Sequence, residues 1–146
     1  MAALEKDPKL KIVAAGDPES GYEYFSHPQF IKLGRVSDGQ LAWLYQAASA
    51  LLQPSKSEGF GLTGLEAMAN GCPVLSSNAT CLPEIYGSAA LYFNPNSVEE
   101  LLSAIKKLEI KKDSLVATGK LRVKDFSWQK TTAETFAVYQ KLLAQD

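Results

Sequence analysis

Histidine is almost missing from this chain: its 146 residues hold one, His27, together with two cysteines, two methionines and two tryptophans. One imidazole and two thiols, Cys72 and Cys81, with no Cys-x-x-Cys between them, do not make a zinc site or a dithiol centre. No metal is expected, and both cysteines read as buried thiols. An excess of one charge is missing too. Fifteen Lys and Arg stand against sixteen Asp and Glu, interspersed, for a net charge of -1, so no basic face is offered to nucleic acid. No apolar run approaches the roughly 20 residues that span a bilayer. The opening Met-Ala-Ala-Leu-Glu-Lys lacks the apolar stretch of a signal peptide, which makes the cytoplasm the expected location. The Gly-x-Gly-x-x-Gly of dinucleotide-binding folds is not found after the first strand-like run, where Ala14-Ala15-Gly16-Asp17-Pro18 stand instead. There are no internal repeats and no low-complexity linker, and 46% hydrophobic residues suffice for one sizeable core, so residues 1–146 are read as one domain.

What the chain does have is an alternation of short apolar runs and helical patterns. Strands are expected at 9–15 (KLKIVAA), 29–33 (QFIKL), 49–53 (SALLQ), 73–77 (PVLSS) and 90–94 (ALYFN), several bounded by Gly, Pro or Asn. Ser37 or Asp38 can cap a helix with Leu41, Leu44, Tyr45 and Ala48 on one face. Ser97 with Glu100 three residues later has the form of a capping box, opening a helix that carries Leu101, Leu102, Ala104, Ile105 and Leu108. Two more helical segments are expected beyond it, the last at 127–145 with Phe136, Tyr139 and Leu143 on one stripe. Near-continuous apolar strands with helical crossovers imply an α/β fold, a Rossmann-like parallel sheet with helices on both faces. His27, before a proline, reads as a turn residue, and Trp43 and Trp128 as core residues.

The stretch Ser57-Glu-Gly-Phe-Gly-Leu-Thr-Gly-Leu-Glu-Ala67 sits between the third strand and a helix, at the strand ends where ligands bind in such folds. Gly59, Gly61 and Gly64 permit positive φ and keep side chains out of an approaching ligand's path. The helix start behind them presents unpaired N–H groups to an anion. By glycine count alone the plainer account, a turn that only redirects the chain, has the stronger claim, because such loops are common connectors. Glu58 and Glu66 add a second chemistry. Ionised carboxylates accept strong hydrogen bonds from a diol, so a phosphate pocket bordered by two of them suits a sugar nucleotide. Taken singly, Glu66 is also a favourable charge near a helix start, and Glu58 ordinary loop polarity.

The run Glu58-Gly-Phe-Gly-Leu-Thr-Gly-Leu-Glu66-Ala-Met-Ala-Asn-Gly-Cys-Pro-Val resembles the Glu-x7-Glu signature of family 4, retaining, GT-B glycosyltransferases. LGRVSDGQLAWLYQAASALLQPS before it, and SSNATCLPEIYGSAALYFNPNSVEELLSAI and DFSWQKTTAETFAVY after it, resemble the carboxy-terminal, donor-binding domain of that family in the same order. The resemblance covers nearly the whole chain. It implies transfer of a sugar from a nucleoside-diphosphate sugar, a UDP- or GDP-sugar, to an acceptor hydroxyl with retention and without a metal or other cofactor. Glu58 would hold donor-sugar hydroxyls, and Glu66 the ribose. The backbone at Gly59, Phe60, Gly61, Leu62 and Thr63 would meet the diphosphate and sugar, and Val36 would lie near the base. The Phe60 ring fits packing under the loop as well as it fits a sugar-facing role. No catalytic nucleophile is assigned in this chain.

Departures from the family matter as much. The amino-terminal acceptor domain, the first strand of the donor domain and the Arg and Lys that grip the diphosphate have no counterpart here. By family topology that strand lies between the strands at 9–15 and 49–53. Either these two pair directly, or a helix or another copy fills the gap, and association of copies is expected. The absent domain would be the partner in catalysis and the route to peripheral attachment at the inner face of a membrane. This polypeptide alone is expected to transfer no sugar. The alternative is a stand-alone nucleotide-sugar-binding or interaction module.

Overall fold

Val74 and Leu75 are chain neighbours that serve different cores. Both lie on the central strand of a three-stranded parallel sheet, and alternation of side chains across a strand sends them to opposite faces. Val74 joins Tyr45, Leu65, Met68, Leu82, Ile85 and Tyr86 on one face. Leu75 joins Phe93, Ala104, Leu108 and Leu115 on the other. The computed structural model describes residues 2–16 and 26–144. Met1, Asp17 and Pro18 of the stretch after the first strand, and Gln145 at the end of the expected last helix, lie outside the described residues.

The elements follow in the order α1 (Ala2–Lys6), β1 (Ile12–Ala15), β2 (Phe30–Gly34), α2 (Asp38–Ala47), β3 (Leu51–Gln53), α3 (Leu62–Ala69), β4 (Val74–Ser77), α4 (Leu82–Tyr86), β5 (Ala90–Phe93), α5 (Val98–Arg122) and α6 (Trp128–Leu143). All five expected strands form, each within a few residues of its expected ends. The first starts late because Asp7 closes a turn, its Oδ1 accepting the Lys9 N–H at 2.9 Å and its carbonyl the Leu10 N–H at 3.2 Å. Every strand pair is parallel.

The strands do not form one continuous sheet. β1 pairs with β2, and β3, β4 and β5 pair in that order as a second sheet. Among the described residues no strand pairs the free edge of β1 or of β3, so the direct pairing of 9–15 with 49–53 does not occur. Pairing needs a partner at about 4.8 Å along the whole strand, which these two do not provide each other.

Ser37 caps α2 with a complete capping box: its Oγ accepts the Gln40 N–H at 3.3 Å, and Gln40 Oε1 accepts the Ser37 N–H at 2.8 Å. At α5 the reciprocal bond goes elsewhere. Ser97 Oγ accepts the Glu100 N–H at 3.2 Å, but Glu100 Oε2 takes the Asn94 N–H at 2.8 Å. One of the two further helical segments does not stand apart. With no proline after Pro95, α5 runs unbroken for 25 residues, and a 3-10 turn at Val123–Asp125 separates it from α6. A Cβ at Gly119, within α5, would press on the Met68 side chain, so its missing side chain lets α5 lie close against α3 there.

Trp43 and Trp128 are not core residues. They are 66% and 73% exposed, on helices whose outer faces have no neighbour among the described elements. The stripe of Phe136, Tyr139 and Leu143 is likewise open, and no residue of α6 is buried. His27 does sit in a turn, its Nδ1 accepting the Gln29 N–H at 3.2 Å. Of the two free cysteines, Cys72 is buried and Cys81 half-buried.

Candidate functional site

Residues 54–61 cross from the end of β3 to the start of α3, as the alternation of strand and helix requires. Gly61 is the N-cap of α3, at φ 92°, with no side-chain cap, and the first turn carries no acidic residue. The first N–H groups of an α-helix have no partner inside the helix, so this end is open to an anion.

Two of the three loop glycines have a reason the sequence did not show. A Cβ built on Gly61 or on Gly64 would collide with the phenol of Tyr86, which comes up beneath the loop from α4 and is fully buried. Their missing side chains make room for Tyr86, whereas a Cβ at Gly59 would meet only open space. Tyr86 binds the loop as well as filling the space under it, its hydroxyl lying 2.7 Å from the Gly61 carbonyl and 2.6 Å from Gln53 Oε1.

Glu58 is oriented from two sides. Gln53 Nε2, at the end of β3 and itself buried, donates to Oε2 at 3.2 Å, and the Gly59 N–H donates to Oε1 at 3.2 Å. Cys81 Sγ donates to the Glu58 carbonyl at 3.3 Å, which ties the loop to the start of α4. Ahead of Cys81, Thr80 holds φ 52°, a left-handed conformation uncommon for a non-glycine residue. Further support comes from Ser77 Oγ, which donates to the Ser55 carbonyl at 2.5 Å.

Glu66 lies one helical turn into α3, with its side chain exposed, and accepts from the Tyr45 hydroxyl of α2 at 3.4 Å. Burial above all, and then the Glu66 charge, pushes the Tyr45 phenol up to about 12. It stays protonated at neutral pH and able to donate. Phe60 is half-turned to solvent and its ring meets Phe126 edge-on, with centroids 5.8 Å apart. Arg122 lies over the other ring, 4.9 Å from its centroid, and donates to the Ile85 and Glu84 carbonyls at the end of α4. The Phe60 ring therefore packs on the chain's later turns and not in the core.

The structure brings Glu58, Gly59, Phe60, Gly61, Leu62, Thr63 and Glu66 into one segment around the α3 start. Leu62 and Thr63 are exposed there. Val36 is half-buried in the loop after β2, a strand of the other sheet. Tyr45, Gln53, Cys81 and Tyr86 were not singled out from the sequence as site residues. The buried glutamine closing an otherwise apolar strand was the one available signal. Among the described residues no group of three or more His, Cys, Asp or Glu could hold a metal, and no described helix is long and apolar enough to cross a membrane.

A family model described as Glycosyl transferases group 1 matches residues 1–121. The O-antigen chain mannosyltransferase B of Escherichia coli is 38% identical over 94% of this chain and 35% of its own length. An MMP alpha-(1->4)-mannosyltransferase of Mycolicibacterium hassiacum is 34% identical over 97% of the chain and 38% of its own length. The chain thus spans little more than a third of these curated relatives. Sucrose-phosphate synthase from Thermosynechococcus elongatus superposes with a TM-score of 0.78 at 27% identity, over 99% of this chain and 41% of that one. The fold is that of the carboxy-terminal part of a GT-B enzyme. A family match over most of its residues, two mannosyltransferases aligned along nearly its whole length and a glycosyltransferase fold agree: the chain belongs to the group 1 glycosyl transferases.

Proposed function

We propose that this chain is the donor-binding half of a retaining glycosyltransferase, taking a nucleoside-diphosphate sugar and delivering the sugar to an acceptor hydroxyl. The observation that carries the proposal is an uncapped α3 start, free of acidic residues in its first turn, set between two hydrogen-bonded glutamates. The diphosphate rests on the N–H groups around Gly61, Leu62 and Thr63, where a helix start favours negative charge. Glu58 accepts from sugar hydroxyls, and Glu66 from the ribose. In the reaction the nucleoside diphosphate leaves, and the helix dipole stabilises its growing charge in place from the outset, an effect that can reach several kcal/mol.

Val36 is proposed to lie beside the base, and a separate acceptor-binding domain to complete the cleft, possible only in a longer protein of the relatives' length. Names of the two relatives make a nucleoside-diphosphate mannose the first donor to try. The test is a titration of the isotope-labelled chain with UDP, GDP and their sugars while amide resonances are recorded. Shifts centred on Gly59 to Glu66 are expected. Saturation that moves other amides and leaves these still would end the assignment.

A further inference from the structure

The Tyr86 hydroxyl has one proton and two acceptors, Gln53 Oε1 at 2.6 Å and the Gly61 carbonyl at 2.7 Å. The Gln53 amide cannot turn round to relieve this. An ionised Glu58 only accepts, so the Gln53 nitrogen must face it, and the Gln53 oxygen is left facing Tyr86. The Gly61 carbonyl keeps a second donor, the Gly64 N–H at 3.2 Å, whichever way the phenol proton points. Tyr86 is fully buried and Gln53 nearly so, where hydrogen bonds hold geometry most firmly and an unpaired group is most costly. No buried side-chain polar atom among the described residues is left without a partner. One phenol thus touches both halves of the site, the helix start directly and the Glu58 carboxylate through Gln53.

We propose that Tyr86 and Gln53 are positioning residues, a buried relay that fixes the Glu58 carboxylate relative to the α3 start so that sugar and diphosphate are read as one ligand. The proposal rests on the donor-binding reading above. Gln53 occupies one lone pair of Oε2 and the Gly59 N–H one of Oε1, which fixes the plane of the carboxylate. The remaining lone pairs accept two hydroxyls only in that plane. Rotation of Glu58 would lose the sugar while leaving the helix start, and so the diphosphate, unchanged.

The test compares affinities for a nucleoside diphosphate and for the same diphosphate bearing a sugar, in the 146-residue chain and in Tyr86→Phe, Gln53→Met and the double variant. Both single substitutions keep bulk and remove hydrogen bonding. Each is expected to reduce the extra affinity conferred by the sugar about three- to tenfold while changing free diphosphate binding less than about twofold. Tyr86→Phe should add little in the Gln53→Met background, because the two act in series. Equal losses on both ligands, or additive losses, would show general structural support and overturn the relay. A second readout needs no ligand: Glu58→Ala and Tyr86→Phe must each move the side-chain amide resonances of Gln53, and unmoved resonances overturn the proposal. If the unsubstituted chain binds the two ligands equally, the donor reading fails instead, and the amide resonances alone decide whether the relay exists.

Discussion

The Tyr45 hydroxyl of α2 reaches Glu66 Oε2 of α3 across 3.4 Å, a bond between two helices that the protein places on either side of β3 in the chain. At that length it orients the carboxylate more than it stabilises it. Tyr45→Phe should therefore weaken UDP or GDP binding by less than about 1 kcal/mol, against about 1–3 kcal/mol for Glu66→Ala, measured by calorimetry. Glu58→Ala should spare the free nucleotide and cost affinity only for the sugar-bearing form. Equal effects of the two alanine variants on the free nucleotide would contradict this division.

Three tyrosines are expected to make stability fall at alkaline pH. Burial, with the Glu66 charge second, lifts Tyr45 to about 12; burial lifts Tyr92 to about 12 against the opposing charge of Arg122; burial raises Tyr86 further. Each folded value lies above the ordinary 10.0, so the unfolded chain releases these protons first. Their contribution is whole below pH 10 and is lost as pH rises through about 12. Urea unfolding across that window should show a falling midpoint, with a shallower fall in Tyr86→Phe. A flat profile would contradict the assignment.

Gly64→Ala drives a methyl group into the Tyr86 ring and should cost about 1–3 kcal/mol of stability, as overpacking does. Tyr86→Phe, which removes one of the three atoms in collision, should restore a minor part of the loss. Thermal denaturation of the single and double variants decides it, and full additivity would mean that Gly64 is needed for another reason.

Phe136, Tyr139 and Leu143 stand open on α6, and one edge each of β1 and β3 has no strand partner among the described residues. Apolar stripes and open edges favour association. Light scattering across a concentration series should show a dimer or larger species, reduced by Phe136→Ser with Leu143→Ser. A monomer at the highest concentration would refute this.

The 146-residue chain should release no glycoside product from a nucleotide sugar and an acceptor. Holding two substrates in an attacking geometry supplies roughly 7 to 11 kcal/mol of barrier reduction. The proposed site here accounts for one of them, in a chain about a third the length of its relatives. Product formation by the purified chain would refute the expectation.

Strand and helix alternation, the caps at Ser37 and Ser97, and the placing of Glu58 to Glu66 at a strand-to-helix loop were all legible in the sequence. Each depends on residues close together in the chain, where periodicity and capping chemistry act. Contacts made at a distance were not legible. Gly61 and Gly64 looked like openings for a ligand, yet the space beside them belongs to Tyr86, 25 and 22 positions on, and only packing α4 beneath α3 puts it there. Trp43 and Trp128 looked like core residues because aromatic side chains usually are, but burial depends on what faces a helix, and nothing described faces these two. Sheet continuity was decided in the same way. Each strand's own sequence made it a strand, but whether β1 and β3 meet depends on backbone groups that must pair across space, and here they do not.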